Sequence, residues 1–188
     1  MKAIDIIHSE HRALAAVLQA LRFLLDEIGA GRLQPDPDLL GHMIEYITQV
    51  PDKLHHPKED EVLFRILREH VPEACSLIDK LQADHVEGAR HTGQLEAALA
   101  RYRSEGGPAF AAFETLARGY VDAMTRHIRL EEAELLPLAR KGLSAADWAE
   151  IDAAFEANRD PWSGPTGEYR ALYSRIVNLV PAPYGLGG

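Results

Sequence analysis

The sequence predicts an all-α fold: an up-down-up-down four-helix bundle followed by a short helical C-terminal extension. Three observations lead there. Apolar residues recur at three- and four-residue steps through four long segments, and alternating β-branched runs are absent. Short stretches rich in Gly, Pro and Asp separate those segments. A pattern of histidines and carboxylates is written twice, once in each half of the region the four segments cover.

The first segment carries Ile4, Ile7, Leu14, Leu18, Leu21, Leu25 and Ile28 on one seam, and His11 falls inside it. Residues 29–37 read as a loop. A second helical segment runs from about Asp38 to His70; Pro51 and Pro57 lie within it and are expected to kink it or break it locally. A third segment begins near Pro72 and places Ile78, Leu81, Leu95, Leu99 and Tyr102 on a seam that His85 joins. Residues 104–108 read as the next turn. The fourth segment reaches Lys141 with Phe110, Phe113, Ala117, Tyr120, Met124, His127, Glu131 and Leu138 on one face. Beyond it, Ser144 reads as an N-cap for a helix into Phe155. Asp160-Pro161-Trp162 and Gly164-Pro165 break that element, a short helix covers about Glu168 to Leu179, and a Pro/Gly-rich end follows. Trp148, Phe155, Trp162, Tyr169 and Tyr173 give this tail enough aromatic surface to pack on the bundle. The expected division is therefore a bundle over residues 1–142 and an extension over residues 143–188.

Composition narrows the function. A chain of 188 residues suffices for one domain with an appendage. A formal net charge of -9 disfavours a general role on nucleic acid or anionic membrane. The single Cys75 rules out an internal disulfide and fits a reducing compartment. No signal-peptide h-region and no membrane-length apolar run is found, so a cytoplasmic protein is expected.

The duplication is the firmest internal signal. Residues 4–11, ending in His11, align without gaps on residues 78–85, ending in His85. His55-His56-Pro57-Lys58-Glu59-Asp60 aligns on His127-Ile128-Arg129-Leu130-Glu131-Glu132. Side chains four apart on a helix lie only about 40° apart around its axis, so His55 and Glu59 face one way, as do His127 and Glu131. Each half then offers two imidazoles and one carboxylate, a donor set that suits a pair of first-row metals with the carboxylates bridging. Iron is the natural choice, since zinc more often takes a single tetrahedral site and the His-Glu-x-x-His spacing is absent. A lone His on an apolar seam is more often a core residue bonded to a carbonyl. Two repeat-matched His beside two His-x3-Glu pairs reverse that reading for His11 and His85.

His56 and Asp60 also stand four apart, so periodicity alone leaves them as alternatives to His55 and Glu59. The repeat register selects His55 and Glu59, which makes His56 and Asp60 either residues that support the ligands from behind or surface residues. His8, His42, His70 and His91 have no partner in the duplication and read as surface or structural. Glu10 and Asp84, each just before a candidate ligand, read as exposed acids, with a supporting acceptor role the lesser alternative. Glu132 and Glu134 read as solvated charges, and Tyr120 as core.

From Ile4 to Lys141 these residues resemble the hemerythrin-like proteins that carry the HHE cation-binding domain. The resemblance rests on Glu10-His11, on residues 55–64, on Asp84-His85 and on residues 127–137. It implies a four-helix bundle holding a non-haem centre of two iron ions, bridged by two carboxylates and an oxo or hydroxo group. The ligands it implies are His11, His55, Glu59, His85, His127 and Glu131. Two departures stand out. Oxygen-carrying hemerythrins have a further His one turn before the helix-three ligand, where this chain has Leu81. Arg65 stands where the second half has Pro137.

Three functions follow as expectations. The leading one is a protein that binds dioxygen or nitric oxide, or senses iron or redox state. The second is a di-iron oxidoreductase acting on peroxide or nitric oxide, or donating iron for cluster repair. The third is an interaction protein with a structural metal, whose acidic surface and aromatic tail meet a protein partner.

Overall fold

The computed structural model describes residues 1–157 and 168–187. The described chain is all-helical, with only an isolated bridge between Pro181 and Gly187. None of its helices is long and apolar enough to cross a membrane.

Helix α1 spans Lys2–Gly29, with Asp5 in the first turn where the helix dipole favours an anion. The following loop turns on Gly31, whose φ of 69° lies in the region that favours glycine. The loop ends on Asp36, whose carboxylate accepts from the backbone amides of Asp38 and Leu39 at 2.9 and 3.1 Å. This caps α2 (Pro37–Val50), which Pro37 opens in the position proline prefers.

The second rod does not break at its prolines. It continues through a π-helical turn (Pro51–His55), α3 (His56–Lys58), a second π turn (Glu59–Leu63) and α4 (Phe64–His70). Proline forfeits an amide donor, and the wider π register absorbs that loss without ending the helix. A 3-10 turn (Pro72–Ala74) then leads into α5 (Cys75–Glu105). The turn after α5 is tighter than the spacing predicts: Gly106 alone, at φ 74°, separates it from α6 (Gly107–Leu130). The fourth rod continues through a π turn (Glu131–Leu135) into α7 (Leu136–Gly142). The π turns beginning at Glu59 and Glu131 are repeat-matched, and each closes with a hydrogen bond across five residues, Phe64 to Glu59 and Leu136 to Glu131.

Cross-rod pairs define the packing. Asp26–Arg118, Arg22–Asp122 and His11–Glu132 run α1 antiparallel to the fourth rod. Asp38–Arg103, Asp52–Thr92 and Asp60–His85 run the second rod antiparallel to α5. Between the rods lie two separate apolar clusters. One gathers Leu14 to Leu25, Leu39 to Val50, Leu95 to Tyr102 and Ala109 to Met124. The other gathers Ala3 to Ile7, Leu63 to Val71, Ala74 to Leu81 and Leu135 to Leu143. Every rod changes cluster over the same interval, and in that interval the buried residues, Pro51 apart, are polar.

The C-terminal helices complete both clusters. α8 (Ala145–Ala157) is capped by Ser144, whose amide donates to Asp147 Oδ2 at 2.8 Å while the Asp147 amide donates back to Ser144 Oγ at 3.3 Å. It buries Trp148, Ile151 and Phe155 in the second cluster, and Asp152 Oδ1 accepts from the Ala3 amide at 2.8 Å. α9 (Glu168–Leu179) packs on α2 and adds Leu172, Ile176 and Val180 to the first cluster. Tyr173 lies against Tyr46, ring centroids 5.9 Å apart. Trp162, the Tyr169 side chain and the breaks expected at residues 160–165 lie outside the described residues.

Because Phe155 is fully buried, truncating it leaves a cavity the helices cannot close. Phe155→Ala should lower the unfolding free energy by about 3 kcal/mol or more. Urea denaturation followed by circular dichroism measures this, and a change under about 1 kcal/mol would show that α8 contributes little to the fold.

Candidate metal centre

The polar interval between the clusters holds Glu10, His11, His55, His56, Lys58, Glu59, His85, His127 and Glu131, all buried. All six residues that the sequence nominates as ligands are among them. The structure brings the six together as two imidazole pairs. His11 Nε2 lies 3.0 Å from His55 Nε2, and His85 Nε2 lies 3.2 Å from His127 Nε2. Two nitrogens each roughly 2.1 Å from one ion at a right angle stand about 3.0 Å apart, so each pair has the separation of two ligands on one metal.

The carboxylates Glu59 and Glu131, both 1 % exposed, span the two pairs. Glu59 turns Oε1 to His55 Nε2 at 3.2 Å and Oε2 to His85 Nε2 at 3.7 Å. Glu131 turns Oε2 to His11 Nε2 at 3.2 Å and Oε1 to His127 Nε2 at 3.4 Å. Two clusters with metal-ligand spacing result, His11-His55-Glu59-Glu131 and Glu59-His85-His127-Glu131, sharing both glutamates. Glu59 Oε2 and both Glu131 oxygens are buried without a hydrogen-bond partner. Buried anionic oxygens without donors are costly, and a cation between the pairs satisfies them, so the residues fit a two-metal centre.

The outer nitrogen of each imidazole meets a carboxylate. His55 Nδ1 is 2.6 Å from Glu10, His11 Nδ1 is 3.1 Å from Glu132, His85 Nδ1 is 3.1 Å from Asp60 and His127 Nδ1 is 3.6 Å from Asp84. The first three contacts set the tautomer that leaves Nε2 free for a metal and hold the ring in place, whereas the half-exposed Asp84 stands beyond hydrogen-bond reach of His127 Nδ1. The four acids are themselves repeat-matched, Glu10 with Asp84 and Asp60 with Glu132. Asp60, Glu132, Asp84 and Glu10 are therefore not idle surface charges. The signal that would have found them is the same alignment that selects the six candidates, read one residue to either side.

Two residues of the second rod have no repeat counterpart of their kind. Lys58, matched by Leu130, is buried, donates to Glu10 Oε1 at 3.1 Å and stands 5.2 Å from the centroid of the Phe155 ring. His56, matched by Ile128, is not at the surface as the register argument expects. It is 4 % exposed, stacks on His85 at 4.0 Å between centroids, and forms a third cluster with His85 and His127. The remaining histidines are structural: His70 pairs with Asp147 at 3.0 Å, His42 meets Arg175 at 3.0 Å, and His91 Nε2 donates to the Leu116 carbonyl at 3.0 Å. His8 is half-buried, outside all three clusters. Beside the second pair a cavity of about 50 Å³ is lined by Asp84, His85, His91, Tyr120, Met124 and His127.

Electrostatics reflects the surplus of carboxylate. Burial disfavours the His55 imidazolium, but Glu59 and Glu10 outweigh it and hold its pKa well above 6.5. The same contest leaves His11 raised by Glu131 and Glu132, and His85 raised by Asp60 and Glu59. Burial favours neutral Glu131, yet the His127 and His11 charges keep it below the ordinary carboxylate range. His56 runs the other way: burial and the charges of His85, His55 and His127 push it well below 6.5.

A metal ion binds neutral imidazole, so loading must expel protons that the surrounding carboxylates favour on these rings, on His55 above all. Raised pKa values mean that apparent affinity begins to fall above pH 6.5 as the pH is lowered, by roughly tenfold per unit for each proton displaced. Titration calorimetry of ferrous ion at pH 7, in buffers of different ionisation enthalpy, should register net proton release. No release would contradict this electrostatic balance.

Comparison with curated proteins returned no match, and neither did comparison with solved structures. The family model for the hemerythrin HHE cation binding domain matches residues 2–139. That range holds every residue of the paired clusters and ends as the fourth rod does, before α8 begins. With a match over most of its length, and with His/Glu clusters that could hold metal at the heart of the matched range, this chain belongs to the hemerythrin HHE cation-binding domain family.

Proposed function

We propose that the chain is a non-haem di-iron protein. Its two ions are held by His11, His55, Glu59, His85, His127 and Glu131 in an up-down-up-down four-helix bundle over residues 1–142, with residues 143–188 a helical extension packed upon it. The observation that carries this reading is the division of oxygens on Glu59 and Glu131: each carboxylate offers one oxygen to each imidazole pair. A single-metal or purely structural site has no use for two carboxylates that both face both ways. The donor set of imidazole and carboxylate suits iron.

The activity is reversible binding of dioxygen or nitric oxide, or sensing of iron and redox state. Iron supplies the open coordination chemistry for a small diatomic ligand; the chain supplies position and environment. His11 and His55 hold one position, His85 and His127 the other, and Glu132, Glu10 and Asp60 keep the rings of His11, His55 and His85 aimed inward. The two apolar clusters wall off the centre on either side and keep bulk water away from it. The alternative, turnover of peroxide or nitric oxide or release of iron for cluster repair, calls for a side chain free to move protons at the centre. The four ligand imidazoles face carboxylates on one nitrogen and the metal positions on the other, which favours binding over turnover. Nucleic acid and anionic membrane do not suit a chain with a net charge of -9, and the cytoplasm suits its lone cysteine.

Iron analysis joined to optical spectra, taken reduced and then after exposure to air, tests the proposal. Two irons per chain and bands that appear and vanish reversibly with oxygen are the expected result. Turnover of peroxide or nitric oxide well above that of free iron would replace binding with catalysis. His127→Ala should remove most of the iron, and unchanged content would break the ligand assignment.

A further inference from the structure

We infer that His56 is a fifth imidazole ligand, placed on the metal position of His85 and His127 and oriented by Asp52. The inference rests on the two-metal reading above and sharpens it, because it makes the two positions unequal.

Four observations converge. His56 is 4 % exposed in the polar interval, where the duplication puts Ile128 in the other half. An apolar residue is thus compatible with the matching position, and a buried imidazole in its place needs a polar reason. Next, a ring nitrogen of His56 shares with those of His85 and His127 a cluster whose ligand atoms all lie within 4.8 Å of one another. His55, one residue earlier, belongs to the other cluster, so the second rod supplies one imidazole to each position. His55 closes the π turn that begins at Pro51 and His56 follows it, and such turns are frequent at functional sites.

Third, His56 repeats the arrangement of the four candidate ligands. Its Nδ1 faces Asp52 Oδ1 at 3.5 Å, beyond hydrogen-bond length as His127 Nδ1 is from Asp84 at 3.6 Å, with Nε2 on the opposite side of the ring. Asp52 is in turn fixed by Thr92, whose hydroxyl donates to Oδ2 at 3.1 Å. Fourth, the pair is absent as a pair from the other half: Asp52 aligns on Met124 as His56 aligns on Ile128. Acid and imidazole depart from the duplication together, as a ligand and its orienting group would. Leu81, the place at which oxygen-carrying relatives have their further histidine, is fully buried in an apolar cluster and offers nothing to a metal. The fifth imidazole comes from the second rod instead of the third. One position then has two imidazoles, the other three, and both share Glu59 and Glu131.

The test loads the full-length protein and its variants His56→Gln, His56→Ala and Asp52→Asn with ferrous ⁵⁷Fe. Iron stoichiometry, stepwise affinity and Mössbauer spectra are then compared. Wild-type protein should show two irons in inequivalent environments. His56→Gln should keep the first iron, weaken the second by roughly tenfold or more and alter one iron signal only. In His56→Ala, free imidazole should restore the lost signal, which a merely structural residue would not allow. If His56→Ala fails to fold, His56→Gln, close in size, carries the decision by its stepwise affinity. Unchanged affinity and spectra in His56→Gln, or equal loss of both irons, would overturn the ligand role while leaving the two-metal reading intact. Wild-type protein that takes up no iron would defeat the two-metal reading itself.

Discussion

The structure depends on burying Glu59 and Glu131, two carboxylates 1 % exposed, between two apolar clusters. Removing an anion from water costs several kcal/mol unless a cation and fixed donors replace the solvent. The nearest cation of the chain, Lys58, is already committed to Glu10. The glutamates are left with imidazoles, and three of these four rings belong to residues whose pKa is raised by the acids around them. Positive charge must sit at the middle of this protein, as protons on histidine or as metal. Everything polar in the interior is arranged around that requirement.

The two clusters follow from it. A single continuous core would have to accommodate charged groups within its apolar packing. Instead each rod carries an apolar stretch, a polar step and a second apolar stretch, and the steps coincide. On α1 the step lies between Ile7 and Leu14; on α5 it lies between Leu81 and Leu95. The same division explains the C-terminal helices. α8 finishes the cluster at one end of the centre and α9 the cluster at the other, so neither approaches the paired imidazoles directly. Only Phe155 reaches inward, to the ammonium of Lys58.

Much of this was legible in the chain. Period and Gly/Pro punctuation placed the long helices, and the self-alignment selected six residues that the fold does bring into two shared clusters. What escaped has a physical cause in each case. Pro51 and Pro57 read as a kink or a local break because propensity rules assume an α register; the chain keeps its helix there by passing into a π turn at Pro51, a local departure that those rules do not specify. Residues 104–108 read as a turn because composition marks loops more broadly than the single left-handed glycine that makes this one. Asp60 read as a support behind the ligands or a surface residue, and Glu132 as solvated, because each lies a residue beyond a candidate ligand, about 100° around the helix. They reach imidazoles on a neighbouring rod, His85 and His11, and no pattern within one helix reports a contact between rods. His56 was set aside by the duplication itself. Symmetry is a good guide to what two halves share and is silent about what one half added.

Those additions all fall on one rod. Lys58, His56 and Asp52 replace Leu130, Ile128 and Met124 of the matched half. The C-terminal helices lie against the half to which that rod belongs: α9 lies on α2, α8 packs on α1 through Lys2–Glu156 and Ala3–Asp152, Arg65 pairs with Glu150, and Phe155 covers Lys58. A buried ammonium is tolerable only if its charge is paired and its stem is shielded, and Glu10 and Phe155 provide the two. Glu10 in turn positions His55 at 2.6 Å. The path from the extension to the centre is therefore three contacts long: Phe155 to Lys58, Lys58 to Glu10, Glu10 to His55. The half of the duplication that carries these polar residues is the half on which the C-terminal helices lie. A symmetric bundle needs no such path, since its matched halves shield each other alike; the extension belongs with the asymmetry.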